Sequence, residues 1–332
     1  MTQPVLARRI VSLLPSATEL VCALGLESAL VGISHECDYP PGVERLPRVT
    51  RTKIAHDADS REIDNQVRAE LAGAQALYSL DLDRLGALAP DLIVTQSLCD
   101  VCAVGADEVD AALCRLPGAP RLFNLQPARL ADILGCVREL GAAAGVPAAA
   151  DALLARMEAR IDAVRARSAS LPPAARPRVA LVEWLDPWFD AGHWNPELVE
   201  LAGGVPVCGR KGEPSTTLEW STLRELDPDV LFIACCGFTV ERTLVDLPIV
   251  AALPGWDELK AVREGRVYVT DGNAYFNRPG PRIVDSLEII AHALHPALHP
   301  LPPHLPAALT VPPSGRQSKD MPHSTNSPHG TG

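Results

Sequence analysis

Aromatic residues are scarce in this 332-residue chain, at five Trp, four Tyr and five Phe. No stretch approaches the roughly 18 consecutive apolar residues of a membrane-crossing helix, so no membrane insertion is expected. Basic clusters are missing too. Thirty Lys and Arg stand against 41 Asp and Glu, for a formal net charge of −11, and a nucleic-acid partner would demand a basic face. There is no G-x-G-x-x-G after a strand and no Walker-type lysine loop to cradle phosphates. A G-x-S-x-G elbow and a persuasive acid/base pair are likewise lacking, so a non-catalytic protein is expected. Met1–Ala7 has no basic segment, and Arg8-Arg9 interrupts the first apolar stretch. Secretory leaders need about 7–15 uninterrupted apolar residues. With nine cysteines and no regular disulfide framework, the expectation is a cytoplasmic, reducing compartment, the alternative being a periplasmic one if the start codon lies elsewhere.

What is present alternates between short apolar strands and helical patterns. Strands are expected at 9–14, 29–34, 91–96 and 121–123, with helices at 16–24, 80–89, 105–115 and 130–144 between them. Ser16 and Glu19 have the spacing of a capping box, and Gly25 stands where a glycine commonly ends a helix. Apolar residues at Leu153, Leu154, Met157, Ile161 and Val164 predict a long helix over 147–168, stopped by the prolines at 172, 173 and 177. The alternation then restarts, with strands at 178–184, 230–234 and 266–270 and helices at 196–202, 253–262 and 281–294. The reading is an α/β protein. Two similar α/β halves with mostly parallel sheets, residues 9–146 and 176–296, are joined by one long helix over 147–170, which puts the strand ends of both halves on either side of a cleft. Residues 297–332, rich in Pro, Ser, His and Gly, read as a disordered tail whose His304, His323 and His329 offer at most loose metal binding.

Five cysteines follow apolar runs: Cys37, Cys99, Cys102, Cys235 and Cys236. The carboxyl ends of strands are where open α/β sheets bind ligands. Three readings of these thiols stand. Cys99-x-x-Cys102, between a strand and a helix, has the placement of a redox motif. His35 and Cys37, two apart, share a face in an extended segment, and with Cys99 and Cys102 they make a Cys₃His set for zinc or iron. Free cysteines also serve simply as small apolar linings. Of Cys235 and Cys236, one is expected in the core because neighbouring strand residues face opposite ways. Trp184, Trp188, Phe189, Trp194, Trp220, Tyr275 and Phe276 mostly fall near strand ends, a wall suited to a large planar ligand.

Six segments together resemble the cobalamin and iron-siderophore substrate-binding proteins of ABC importers, the cobalamin binders most of all. They are Ser12-Leu13-Leu14-Pro15-Ser16-Ala17-Thr18-Glu19-Leu20, Asp38-Tyr39-Pro40-Pro41 and Leu88-Ala89-Pro90-Asp91-Leu92-Ile93 in the first lobe. In the second they are Ala202-Gly203-Gly204, Leu226-Asp227-Pro228-Asp229-Val230 and Arg278-Pro279-Gly280-Pro281-Arg282. The resemblance, over about residues 9–296, implies two Rossmann-like lobes with parallel sheets joined by one long rigid helix, and a protein that binds cobalamin or a related corrinoid or metal chelate in the ligand cleft between the lobes. It implies that Pro15, Ser16, Asp38, Tyr39, Trp188, Phe189, Tyr275, Phe276 and Arg278 line the cleft. His35 is a candidate lower ligand to cobalt, with a thiolate from Cys37 or Cys99 competing. The family also presents one acidic residue per lobe to a membrane permease. Asp83 suits the first lobe, whereas Ser221 stands at the matching place in the second, with Glu219 and Glu225 nearby. Residues 52–79 read as an insertion beside the cleft. The competing reading is a cytoplasmic metal-binding or thiol-redox protein built on the Cys/His cluster.

Overall fold

A computed structural model describes residues 6–54, 58–72, 77–96 and 118–313. The expected helix over 105–115 lies outside these residues, as do Cys99, Cys102 and Cys114. In chain order the first lobe contains β1 (Ile10–Ser12), α1 (Pro15–Ala23), β2 (Leu30–Ile33), β3 (Thr50–Thr52), α2 (Ser60–Ala72), β4 (Tyr78–Leu80), α3 (Leu82–Leu88), β5 (Leu92–Gln96), β6 (Arg121–Leu125) and α4 (Leu130–Ala143). Its parallel sheet has the order β2-β1-β5-β6, while β3 and β4 form a separate antiparallel ribbon carrying α2 between them. Helix α5 (Pro147–Ser168) leads to the second lobe. There follow β7 (Arg178–Leu185), β8 (Trp188–Asp190), α6 (Asn195–Leu201), β9 (Val205–Pro206), α7 (Trp220–Leu226), β10 (Val230–Ile233), α8 (Val240–Ala251), α9 (Lys260–Arg263), β11 (Val267–Val269), α10 (Ile283–Leu294) and β12 (Leu309–Val311). Strands β7, β10 and β11 are parallel, with β8 and β12 antiparallel at the edges of the order β12-β11-β10-β7-β8.

Helix α5 has the expected bounds because its sequence signals agree. Pro147 opens the first turn, where its missing N–H costs nothing. Arg165 and Arg167 lie in the last turn, where cations complement the exposed carbonyls. Ala150, Leu153, Leu154, Met157, Ile161 and Val164 are buried along one stripe. At Gly141 of α4, an added Cβ would come within 2.4 Å of the Ala150 Cβ, so glycine is what lets α4 and α5 approach. On the other side, Arg160 donates to Asp285 (2.5 Å) and Glu288 (2.6 Å) of α10. One apolar core therefore runs from Ile10 and Leu20 through α5 to Phe232, Leu287 and Ile290. Separate clusters fill the far sides of the two sheets.

Several expectations change. The capping box does not form: α1 begins with Pro15 as its first residue, Leu14 is the N-cap, and Ser16 therefore lies inside the helix. Gly25 does follow α1 in the left-handed region, at φ 76°. The expected helix over 253–262 is a 3₁₀ turn at Trp256–Glu258 followed by the short α9. Residues 297–313, expected in a disordered tail, are ordered. Pairing with β11 holds β12, Leu305 is buried, and His299 accepts or donates at Ser168 Oγ over 3.0 Å. Short prolyl segments with one edge strand carry no periodicity for a sequence reading to detect.

Two predictions follow from this core. Ile161→Ala should cost about 2–5 kcal/mol, seen as a lower urea midpoint in one transition common to both lobes; a loss under 0.5 kcal/mol would show that α5 is not their shared core. Burial, with His295, Arg167 and His292 nearby, holds the His299 imidazole down at about 4, from an ordinary 6.5. A lowered histidine value means that protonation favours the unfolded chain. The contribution is therefore complete above about 6.5 and lost as pH falls towards 4. Urea midpoints measured across that range should fall less steeply in His299→Gln; an unchanged slope would refute the assignment.

Candidate functional site

The carboxyl ends of β1, β2, β7, β10 and β11 bring the segments 13–19, 34–39, 186–188, 234–238 and 270–282 to the inter-lobe cleft. At its centre lies a four-charge cluster drawn from both lobes. Glu19, on α1, accepts from Arg282 Nη2 (2.6 Å), Arg282 Nε (2.8 Å) and Arg278 Nη1 (3.2 Å). Arg278 also clasps Asp38 at 2.6 and 3.1 Å and reaches Asn273 Oδ1 at 2.7 Å. Asn273 in turn donates to Asp38 Oδ2 at 2.7 Å. Glu19 is 2% exposed and Arg278 8%; a carboxylate so deeply buried requires cations. The opposed charges cancel within the cluster.

Tyr39 is 41% exposed. The Arg282 guanidinium lies over one face of the Tyr39 ring, 4.0 Å from its centroid, and 5.6 Å from the Tyr275 ring. Pro15 is half-buried at the start of α1. Ser16 is buried, and its Oγ has no hydrogen-bond partner among the described residues. Gly280 presses on it: an added Cβ would stand 3.3 Å from the Ser16 carbonyl oxygen. Thus Pro15, Ser16, Asp38, Tyr39, Tyr275 and Arg278 come together.

Other expected site residues lie elsewhere. Trp188 is buried in the second-lobe core, stacked on Trp220 at 5.8 Å. Phe189 is half-buried and bridges to Thr217. The Phe276 ring is wholly buried against Phe232 at 5.2 Å, its backbone held at φ 65°. Strand β2 stops at Ile33 and the chain turns, with Cys37 N donating to Ser34 O. The alternation that would put His35 and Cys37 on one face is therefore broken. His35 lies between Thr50 (Nδ1 to Oγ1, 2.7 Å) and the Tyr78 ring, while Nε2 is 3.0 Å from Glu36. Cys37 is packed in the core, 3.0 Å from Thr18 Oγ1. No group of three or more His, Cys, Asp or Glu among the described residues could hold a metal. Cys235 is buried and Cys236 half-buried. Glu19, Asn273 and Arg282 were missed; the signal for Glu19 is a carboxylate set inside the apolar stripe of α1.

Burial pushes the Cys22 and Cys208 thiols up to about 12 and Cys136 to about 11. Desolvation raises Cys37 and Cys235 as well. These are packed, protonated thiols, poor nucleophiles whatever compartment surrounds them.

Two α/β lobes about a single long helix, with a cleft between strand ends, define a two-lobed protein with room for a ligand between its lobes. A family model described as periplasmic binding protein matches residues 10–274, and the chain belongs to that family. It is a substrate-binding protein of ABC-importer type, a non-catalytic ligand binder. The chain is 24% identical over 296 residues to a vitamin B12-binding protein of Vibrio cholerae, covering 87% of this chain and 89% of that one. It is 20% identical over 291 residues to an ABC transporter substrate-binding lipoprotein of Bacillus subtilis, covering 87% and 80%. Among solved structures, a periplasmic heme-binding protein of Pseudomonas aeruginosa superposes with a TM-score of 0.67 at 24% identity, covering 92% of this chain and 99% of that one. The expected cytoplasmic location is corrected by these findings: a periplasmic family with a lipoprotein relative points to the outer side of the cytoplasmic membrane. Packed thiols explain the misreading, because a cysteine used as a small hydrophobe does not report on redox environment.

The cluster generates a prediction in two parts. Glu19→Gln leaves two arginines short of a buried counter-charge and should cost about 3–5 kcal/mol, measured by chemical denaturation; a loss below 1 kcal/mol would contradict the pairing. Burial raises the Asp38 carboxyl, but the Arg278 guanidinium more than offsets this and holds it below its ordinary 3.8. A depressed carboxylate stabilises the fold above its unfolded value and loses that contribution as pH falls below about 3.8. Asp38→Asn should flatten the acid limb of the stability profile there, and an unaltered limb would count against it.

Proposed function

We propose that the protein captures a cobalamin-type corrinoid in the inter-lobe cleft and delivers it to an ABC permease. The observation that carries this is the internally neutralised cluster beneath an exposed tyrosine face. The two arginines of the cleft are already matched by Glu19 and Asp38, so little net charge is offered to a dianionic macrocycle. Tyr39, backed by Arg282, supplies a flat apolar surface. Pro15 and Tyr275 extend that wall, and the Asp38 and Asn273 groups suit the hydrogen-bonding amides of a corrin rim. Kinship with a vitamin B12-binding protein supports the corrinoid reading, while structural likeness to a heme-binding protein supplies the competitor. His35, turned towards Thr50 and Tyr78, is not needed as a metal ligand in this reading. The exposed carboxylates Asp83, Glu219 and Glu225 are those the chain offers to a permease.

Titration of the purified protein with aquocobalamin and, separately, with haemin tests the reading. Saturable aquocobalamin binding is expected, weakened roughly tenfold by Tyr39→Ala and unaffected by His35→Ala. Absence of saturable cobalamin binding, or tighter binding of haemin, would overturn it.

A further inference from the structure

Helix α2 belongs by sequence to the first lobe, lying between β3 and β4 of the ribbon whose Thr50 and Tyr78 pack on His35 after β2. Yet its leading turn is fastened to the second lobe. Ser60 Oγ donates to Asp246 on α8, both residues being about 1% exposed. Asp246 is paired in turn with Arg242 at 3.0 Å, and Arg242 Nη2 donates to the Ala58 carbonyl at 2.7 Å. Arg61 forms a two-pronged pair with Asp186, one prong at 2.9 Å. Trp184 Nε1 donates to the Ser60 carbonyl at 3.2 Å, and Ile63 packs against the second-lobe core.

The seat of this turn matters. Trp184 and Asp186 stand at the end of β7, while Phe238 and Arg242 follow β10. Trp184 and Phe238 are in contact at 4.7 Å, and Arg242 lies 4.3 Å over the Phe238 ring. These residues lie at or just after the carboxyl ends of β7 and β10, the edge of the second sheet that meets the cleft. Helix α2 thus bridges the strand-end loops of the two lobes and packs on Trp184 there.

We infer that α2 is a latched lid over the ligand cleft, and that release of its 60–63 turn from Asp246, Asp186 and Trp184 gates ligand entry and exit. The chemistry of the turn suits a latch. One hydroxyl–carboxylate contact is buried and specific, whereas the Arg61 side chain is 65% exposed, so water and salt compete with its pair. A lid that closes equally over the empty and the filled cleft changes rates without changing affinity.

The lid rests on the cleft being the ligand site, so its test has an arm that needs no ligand. Hydrogen exchange on the unliganded protein should show α2 opening on its own. Arg61→Ala and Ser60→Ala should speed exchange of α2 amides by roughly threefold or more, with α5 amides unchanged. Exchange of α2 only together with α5 would overturn the lid. Stopped-flow mixing with aquocobalamin should show both variants raising the association and dissociation rates by the same factor, at unchanged Kd. A faster dissociation with an unchanged association rate would also overturn it. If wild-type protein binds neither aquocobalamin nor haemin, the ligand assignment falls and the exchange result alone decides the lid. Asp186→Asn, which keeps side-chain volume, serves if either variant fails to fold.

Discussion

Glu19 is the constraint around which the cleft is organised. A carboxylate two per cent exposed inside an apolar helix face cannot remain charged without counter-ions at hand. Its counter-ions come from the other lobe. Arg278 and Arg282 lie on the loop between β11 and α10, so folding of α1 is completed only when that loop arrives. The same arginines then position what surrounds them: Arg278 fixes Asp38 and Asn273, and Arg282 sets the plane behind Tyr39. Burial makes this cluster expensive to leave half-formed, which ties the separation of the lobes to its geometry. The placing of Asp38, Asn273 and Tyr39 is therefore a by-product of satisfying one buried charge.

The thiols show the opposite physics. A cysteine side chain behaves as a small hydrophobe when surrounded by carbon, and Cys37, Cys136 and Cys235 occupy core positions accordingly. Desolvation keeps each of them protonated, removing both nucleophilicity and the anionic form that metals prefer. The position of Cys37 and Cys235 near strand ends reflects where apolar runs stop rather than a shared chemistry. Placement along the chain and availability to a ligand are separate properties, and only the second makes a site.

Much of the architecture was legible because local signals and global packing agree. Helix α5 carries its stripe, its opening proline and its terminal arginines in one continuous segment. Central strand β10 and the Val179–Val182 part of β7, buried on both faces, read as unbroken apolar runs. Legibility failed where a residue's role depends on a distant partner. Ser16 and Glu19 have capping-box spacing, but Pro15 starts the helix early and two arginines about 260 residues away claim the carboxylate. Trp188 lies close to a strand end, yet the antiparallel return of β8 turns it into the core. His35 and Cys37 looked coplanar only on the assumption that β2 continued. The edge strands β8 and β12 and the ribbon β3–β4 are too short for any period to emerge. In the cleft, sequence order identified the loops and their exposed tyrosine but not which charges would be spent within the protein.

The core that passes through α5 has a consequence for how the chain is made. Leu14, Leu20 and Ile133 share one continuous apolar cluster with Val284, Leu287 and Ile290, residues synthesised more than a hundred positions later. A growing chain that has produced only its first half still lacks the surface that closes this cluster. Completion of the first lobe must wait for the last helix, so the half-made polypeptide stays incompletely compacted. For a member of a periplasmic-binding family, that delay lengthens the interval in which the chain can still be threaded.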